Sequence, residues 1–173
     1  MFQSQKRLKL SNSEADDALQ LRSSGAEHFV RYQYKLALED ISNSLAIEPS
    51  NVLALRLEAD IYCKLKQHDM ALRSLNILLQ IEPNNATALR TRGNVYFKLE
   101  QYDNSINDLN KSLEIEPNDA FALRGRGEVY HMLKQYDNAL VDLKFSCKIL
   151  SKPYIKLSKP LPEWPFGMYQ LNW

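Results

Sequence analysis

The sequence predicts an all-α fold, and three observations carry that prediction. Three Glu-Pro pairs, Glu48-Pro49, Glu82-Pro83 and Glu116-Pro117, follow one another at intervals of 34 residues. Laid out on that period, the chain divides into blocks 18–51, 52–85, 86–119 and 120–153, whose small and apolar residues fall into shared columns. Within each block the apolar residues recur three and four apart, which is helix spacing, and nothing alternates as a strand would.

The columns are consistent from block to block. Leu21, Leu55, Leu89 and Leu123 share one, and Gly25, Ala59, Gly93 and Gly127 another. Tyr62, Tyr96 and Tyr130 align, with His28 in the first block, and are expected to pack in the core rather than stack on bases. Ala37, Ala71, Ser105 and Ala139 align, as do Ile41, Leu75, Leu109 and Leu143. Blocks three and four agree at 17 of 34 positions, far above chance, so the period reflects one unit copied several times.

Taken in order, residues 1–13 are polar and basic without periodicity, and are expected to be a flexible N-terminus with Ser13 capping the first helix. Residues 14–153 are expected to form the repeat domain. Block one carries a polar Ser24, and His28 where the other three blocks have tyrosine. Block two has Leu78 in a column of small residues, so a displaced second helix is expected there. Block three shows the hairpin best. Asn85 suits an N-cap, and Leu89, Gly93, Tyr96 and Leu99 line one helical face. A second helix starts near Asp103, carries Ile106, Leu109, Leu113 and Ile115, and stops before Pro117, which pushes its predecessor out of the α region. Asn118 and Asp119 make the turn. Gly93, Ser105 and Ser112 are small where the two helices cross. Block four replaces the proline with Ser151 and places Pro153 at its end. Cys147 shares a column with Leu45, Leu79 and Leu113 and is expected in the core.

These residues resemble the tetratricopeptide repeat family, whose unit is large, small and aromatic on its first helix and small, large and small on its second, then proline, over 34 residues. Leu89, Gly93, Tyr96, Ser105, Leu109, Ser112 and Pro117 carry the pattern, together with their partners one period away. The resemblance spans the four blocks. It implies a right-handed superhelical solenoid of four helix-turn-helix hairpins, with the first helices lining a concave groove that binds peptides or segments of other proteins.

Composition narrows the function classes. The chain holds 22 basic and 21 acidic residues for a net charge of +1, and 45% of it is hydrophobic. Nucleic-acid and membrane-surface binders carry a larger positive excess, so neither partner is expected. No apolar run approaches the ~18 residues of a membrane span. Two cysteines and three histidines at unrelated repeat positions give no metal or catalytic constellation, so no cofactor, metal or enzyme activity is expected. With no apolar signal core in residues 1–10 and only two cysteines, a reduced, cytoplasmic setting is expected.

Through the resemblance, the fifth position of each block points into the groove. It holds Arg22, Arg56, Arg90 and Arg124, whose planar forks suit carboxylates. Asn94, Phe97, Lys98, Glu128 and His131 are the other candidate contacts, for a partner segment that is acidic. Two readings of the arginine column stay open, since Arg56 has Asp60 and Arg124 has Glu128 one turn later, and such pairs can satisfy each other. The resemblance also suggests two alternatives: a co-chaperone adaptor gripping a chaperone's C-terminal tail, or an accessory domain of an enzyme complex. For the first, Arg90 and Asn94 match the opening of the family's two-carboxylate clamp. Gly125 and Asp60 stand where asparagines belong, so the full clamp is absent. Residues 154–173 change character, with Pro160, Pro162 and Pro165 among aromatics that include both tryptophans, Trp164 and Trp173. The tail is read as a cap folded over block four, as a free proline-rich ligand, or as the sign of a longer array cut short.

Overall fold

The computed structural model describes residues 11–151, so residues 1–10 and 152–173, with Pro153 and the tail 154–173, lie outside the described residues. The described chain consists of helices in four hairpins: α1 (Asn12–Val30) with α2 (Tyr34–Ile47), α3 (Val52–Lys64) with α4 (His68–Ile81), α5 (Ala86–Lys98) with α6 (Tyr102–Ile115), and α7 (Ala120–Met132) with α8 (Tyr136–Leu150). Each helix packs on its chain neighbours, and the first helices of adjacent hairpins also touch, α1 on α3 and α5 on α7. This is the stacked solenoid that the 34-residue period predicts, because a lone hairpin leaves one apolar side open until a neighbour covers it.

Local chemistry sets the period. Asn51, Asn85 and Asp119 end blocks one to three, and each caps the next first helix by accepting backbone N–H bonds, from Ala54 (3.1 Å), Ala88 (2.9 Å) and Phe121 (2.9 Å). The same asparagines donate to Glu48 and Glu82, which pins the Glu-Pro turn. The first helix starts earlier than expected. Its cap is Ser11, not Ser13: Glu14 N–H donates to Ser11 Oγ, and the Glu14 carboxylate accepts from Ser11 N–H, which completes a capping box.

The turn inside each hairpin carries a feature that the columns did not announce. Tyr32, Lys66, Glu100 and Lys134 have positive φ near 60°. In the second turn, Gln67 N–H reaches Tyr62 C=O and Lys66 N–H reaches Cys63 C=O, a Schellman closure in which the left-handed residue is not glycine.

Small residues let the helices of a hairpin close up. A Cβ on Gly93 would stand 2.9 Å from Leu109 Cγ, and one on Gly127 2.8 Å from Leu143 Cγ. Ser105 donates to Gly93 C=O at 2.7 Å. Ser44, Ser112 and Ser146 each donate to the first residue of their own block, Ala18, Ala86 and Ala120, at 2.7–3.0 Å. Leu78 holds that place in the second hairpin and is fully buried instead, so apolar contact replaces the hydrogen bond.

Beside these contacts lies a polar pairing between the seventh and twenty-third positions of each block. Arg92 grips Asp108 through Nε (2.6 Å) and Nη2 (2.9 Å) and reaches back to Asn76 of the preceding hairpin (2.8 Å). Arg126 repeats this with Asp142 (2.7 and 2.8 Å) and Asn110 (2.8 Å). Asp108 is only 2% exposed. Its hydrogen bonds hold the Arg92 guanidinium still more firmly in the charged form, against the opposing effect of burial. The two guanidinium groups also lie over Tyr96 and Tyr130, at 5.9 and 5.8 Å from the ring centroids.

Cys147 departs from expectation, because it is exposed. Its counterparts Leu79 and Leu113 are buried and Leu45 is partly buried, each beside the first helix of a following hairpin, and no helix follows α8 among the described residues.

Candidate functional site

The first helices face one another across a concave side that opens as two adjoining clefts. The larger, about 810 Å³, is lined from α1 by Phe29, from α3 by Asp60, Cys63 and Lys64, from the next turn by Lys66, from α4 by His68, and from α5 by Thr91, Asn94, Val95 and Lys98. The smaller, about 570 Å³, runs between α5 and α7 and is lined by Arg90, Thr91, Asn94, Phe97, Lys98, Phe121, Arg124, Gly125 and Glu128. Thr91, Asn94 and Lys98 belong to both, so the two form one groove.

Helix spacing explains why these residues meet. Arg90, Asn94 and Lys98 stand four apart, as do Asp60 and Lys64, and each set forms one stripe along its helix. Gly125 leaves Asn94 its place, because a Cβ there would come within 2.6 Å of the Asn94 amide oxygen.

Cations prevail along the groove. Lys64, Lys66 and Lys98 rim the larger cleft against one carboxylate, Asp60, and make no ion pair among the described residues. Burial raises the pKa of Asp60, and Arg56, Lys64 and Arg90 offset this only in part. The Cys63 thiol is pushed up to about 11, by burial first and then by Asp60. That leaves it a neutral, poorly nucleophilic group on the cleft wall.

Six of the nine sequence-derived candidates come together in the smaller cleft: Arg90, Asn94, Phe97, Lys98, Arg124 and Glu128. The arginine column does not act as one ladder. Arg22 is turned to Glu48 and Ser44 of its own hairpin, and Arg56 is exposed outside both clefts. Arg90 pairs with Asp119 while lying 5.6 Å from the Phe121 centroid. Arg124 is 57% exposed and loosely paired with Glu128 at 3.7 Å, which leaves it open to a ligand. His131 is exposed, stands against Tyr136 and lines neither cleft.

The candidate set lacked Lys64, Lys66 and Asp60. Lys64 and Lys98 share one column, which was a legible signal. Lys66 reaches the cleft from a left-handed turn that helix periodicity does not describe.

Residues 59–123 match the sequence profile of the tetratricopeptide repeat. A crystal structure of MamA superposes with a TM-score of 0.73 at 17% identity, covering 80% of this chain and 81% of that one. MamA from Desulfovibrio magneticus RS-1 gives 0.73 at 20% identity, covering 79% and 77%. The first repeat domain of Spaghetti (RPAP3), bound to an HSP90 peptide SRMEEVD, gives 0.67 at 24% identity, covering 69% and 94%. At these identities the likeness is one of fold. No curated protein sequence matches the chain.

Proposed function

We propose that this chain, which belongs to the tetratricopeptide repeat family, is a non-catalytic cytoplasmic scaffold that binds an acidic protein segment along its concave groove. One observation carries the reading: the two clefts merge at Thr91, Asn94 and Lys98 and are rimmed by lysines without an intramolecular carboxylate partner among the described residues. Lys98 acts at the junction of the clefts, with Lys64 and Lys66 at one end and Arg124 at the other. Asn94 offers an amide to the backbone of the bound segment. Phe97 and Phe121 supply apolar wall, so charge steers the segment in and apolar contact retains it.

Fluorescence anisotropy with a labelled Glu-rich peptide tests this. Lys98→Glu should weaken binding at least tenfold, and binding to the unaltered chain should fall as salt rises. Equal binding by the two chains rejects the proposal.

The co-chaperone alternative has one specific observation in its favour, the Arg90–Asn94 pair facing the groove. Asp60 counts against it, since a partly buried carboxylate in the adjoining cleft repels a terminal carboxylate. The peptide SRMEEVD, with its C-terminus free and amidated, separates the two readings: a clamp requires the free form, and the proposed groove binds both.

A further inference from the structure

The last described helix, α8, presents an apolar side that nothing in the described structure covers. Leu140 is 52% exposed, although its counterparts Leu38, Leu72 and Ile106 are each partly buried. Cys147 is exposed where Leu79 and Leu113 are buried. Those two differences follow from the absence of a next hairpin among the described residues. Two others do not. Val141 is 67% exposed and stands where the other blocks have Glu39, Arg73 and Asn107. Phe145 is 41% exposed and stands where they have Asn43, Ile77 (itself 45% exposed) and Lys111. Val141 and Phe145 together make the apolar surface of α8 wider than that of α2, α4 or α6, each of which has a polar residue in at least one of the two columns. An exposed apolar patch of this kind marks a contact surface.

We propose that residues 154–173 of this same chain occupy that surface, packing against Leu140, Val141, Phe145 and Cys147. Three observations select this occupant. α8 ends at Leu150, so the segment starts within a few residues of the patch. Its twenty residues can extend over roughly 66 Å, against about 22 Å for the length of α8. Its content also fits, with Trp164, Phe166, Tyr169 and Trp173 at intervals among prolines, whose fixed φ limits the entropy lost on docking. A tethered segment acts at an effective concentration in the millimolar range, so it outcompetes a second copy of the chain at micromolar concentration. This inference is independent of what the groove binds.

The full chain carries its own reporter, because both tryptophans lie in the segment and none lies in the repeats. Tryptophan emission of the unaltered chain should be blue-shifted relative to tryptophan in water, and unchanged on tenfold dilution. Phe145→Glu should shift it to the red and speed the reaction of the Cys147 thiol with a disulfide reagent at least tenfold. Val141→Asp should do the same. Helical circular dichroism confirms for each that the repeats remain folded. Emission already at the solvent value in the unaltered chain overturns the proposal. A blue shift lost on dilution overturns it in favour of a second copy. A blue shift insensitive to both substitutions overturns it by placing the segment elsewhere.

Discussion

The two halves of the solenoid share a backbone plan and differ in the polar contacts that join each hairpin. In α5–α8, Arg92 and Arg126 clamp Asp108 and Asp142 with two-pronged bonds and tie in an asparagine from the hairpin before. In α1–α4 the same two positions hold gentler pairs. Ser24 and His28 meet Asp40 at 2.7 and 2.8 Å, and Ser74 donates to Glu58 at 2.7 Å. The hairpin forms in all four cases, so small residues and caps specify it. The polar pair is interchangeable, but once an Asp–Arg fork is installed, neither partner can be removed cheaply.

The largest expected effect follows from that asymmetry. Asp108→Ala should cost about 3 kcal/mol, because it strands a largely buried guanidinium. Asp40→Ala should cost about 1 kcal/mol. Urea unfolding checks the difference, and hydrogen exchange should place the first loss in α5–α8. Equal costs would break the comparison.

Next comes the small-residue column. Gly93→Ala should cost about 2 kcal/mol, because its Cβ meets the branched carbon of Leu109 and the helices must part. The second hairpin already accommodates Ala59 there, against Leu75, so Ala59→Gly should cost only about 1 kcal/mol, from backbone entropy. Thermal denaturation ranks the two.

Ser112→Ala should cost about 1 kcal/mol through the bond to Ala86 C=O. The second hairpin has no such bond to lose, because Leu78 fills the place. The smallest effect concerns Asp60. Its raised pKa means that the protonated form contributes stability at pH below the ordinary carboxylate value, and that this contribution is lost as pH rises through the raised folded value. Asp60→Asn should remove that acid-side gain, and should strengthen acidic-peptide binding by about fivefold, or ~1 kcal/mol. A pH series of melting temperatures and one titration check both.

Much of this architecture is legible in the columns. The period, the eight helices, the cap at Asn85 and the crossing at Gly93 follow from residue type and spacing, because each depends on a few neighbours along the chain. The Arg–Asp forks were readable in the same columns, since position seven and position twenty-three change together, but only to a reader pairing positions sixteen residues apart. Cys147 misled because a column predicts burial only where the next hairpin exists to provide it. The arginine column divides for another reason. Side-chain direction depends on the nearest carboxylate, and Glu48 and Asp119 claim Arg22 and Arg90 for the scaffold. The groove's open cations are Arg124 and three lysines, of which Lys66 comes from a left-handed turn that helix periodicity does not describe.

An acidic segment lying in the proposed concave groove would touch a defined set of residues. Backbone chemical-shift mapping of a Glu-rich peptide onto the full chain tests that placement most directly. The largest shifts should fall at Lys64, Thr91, Asn94, Lys98 and Arg124, all lost with Lys98→Glu. Shifts concentrated on the second helices α2, α4 and α6, or none at millimolar peptide, would contradict it.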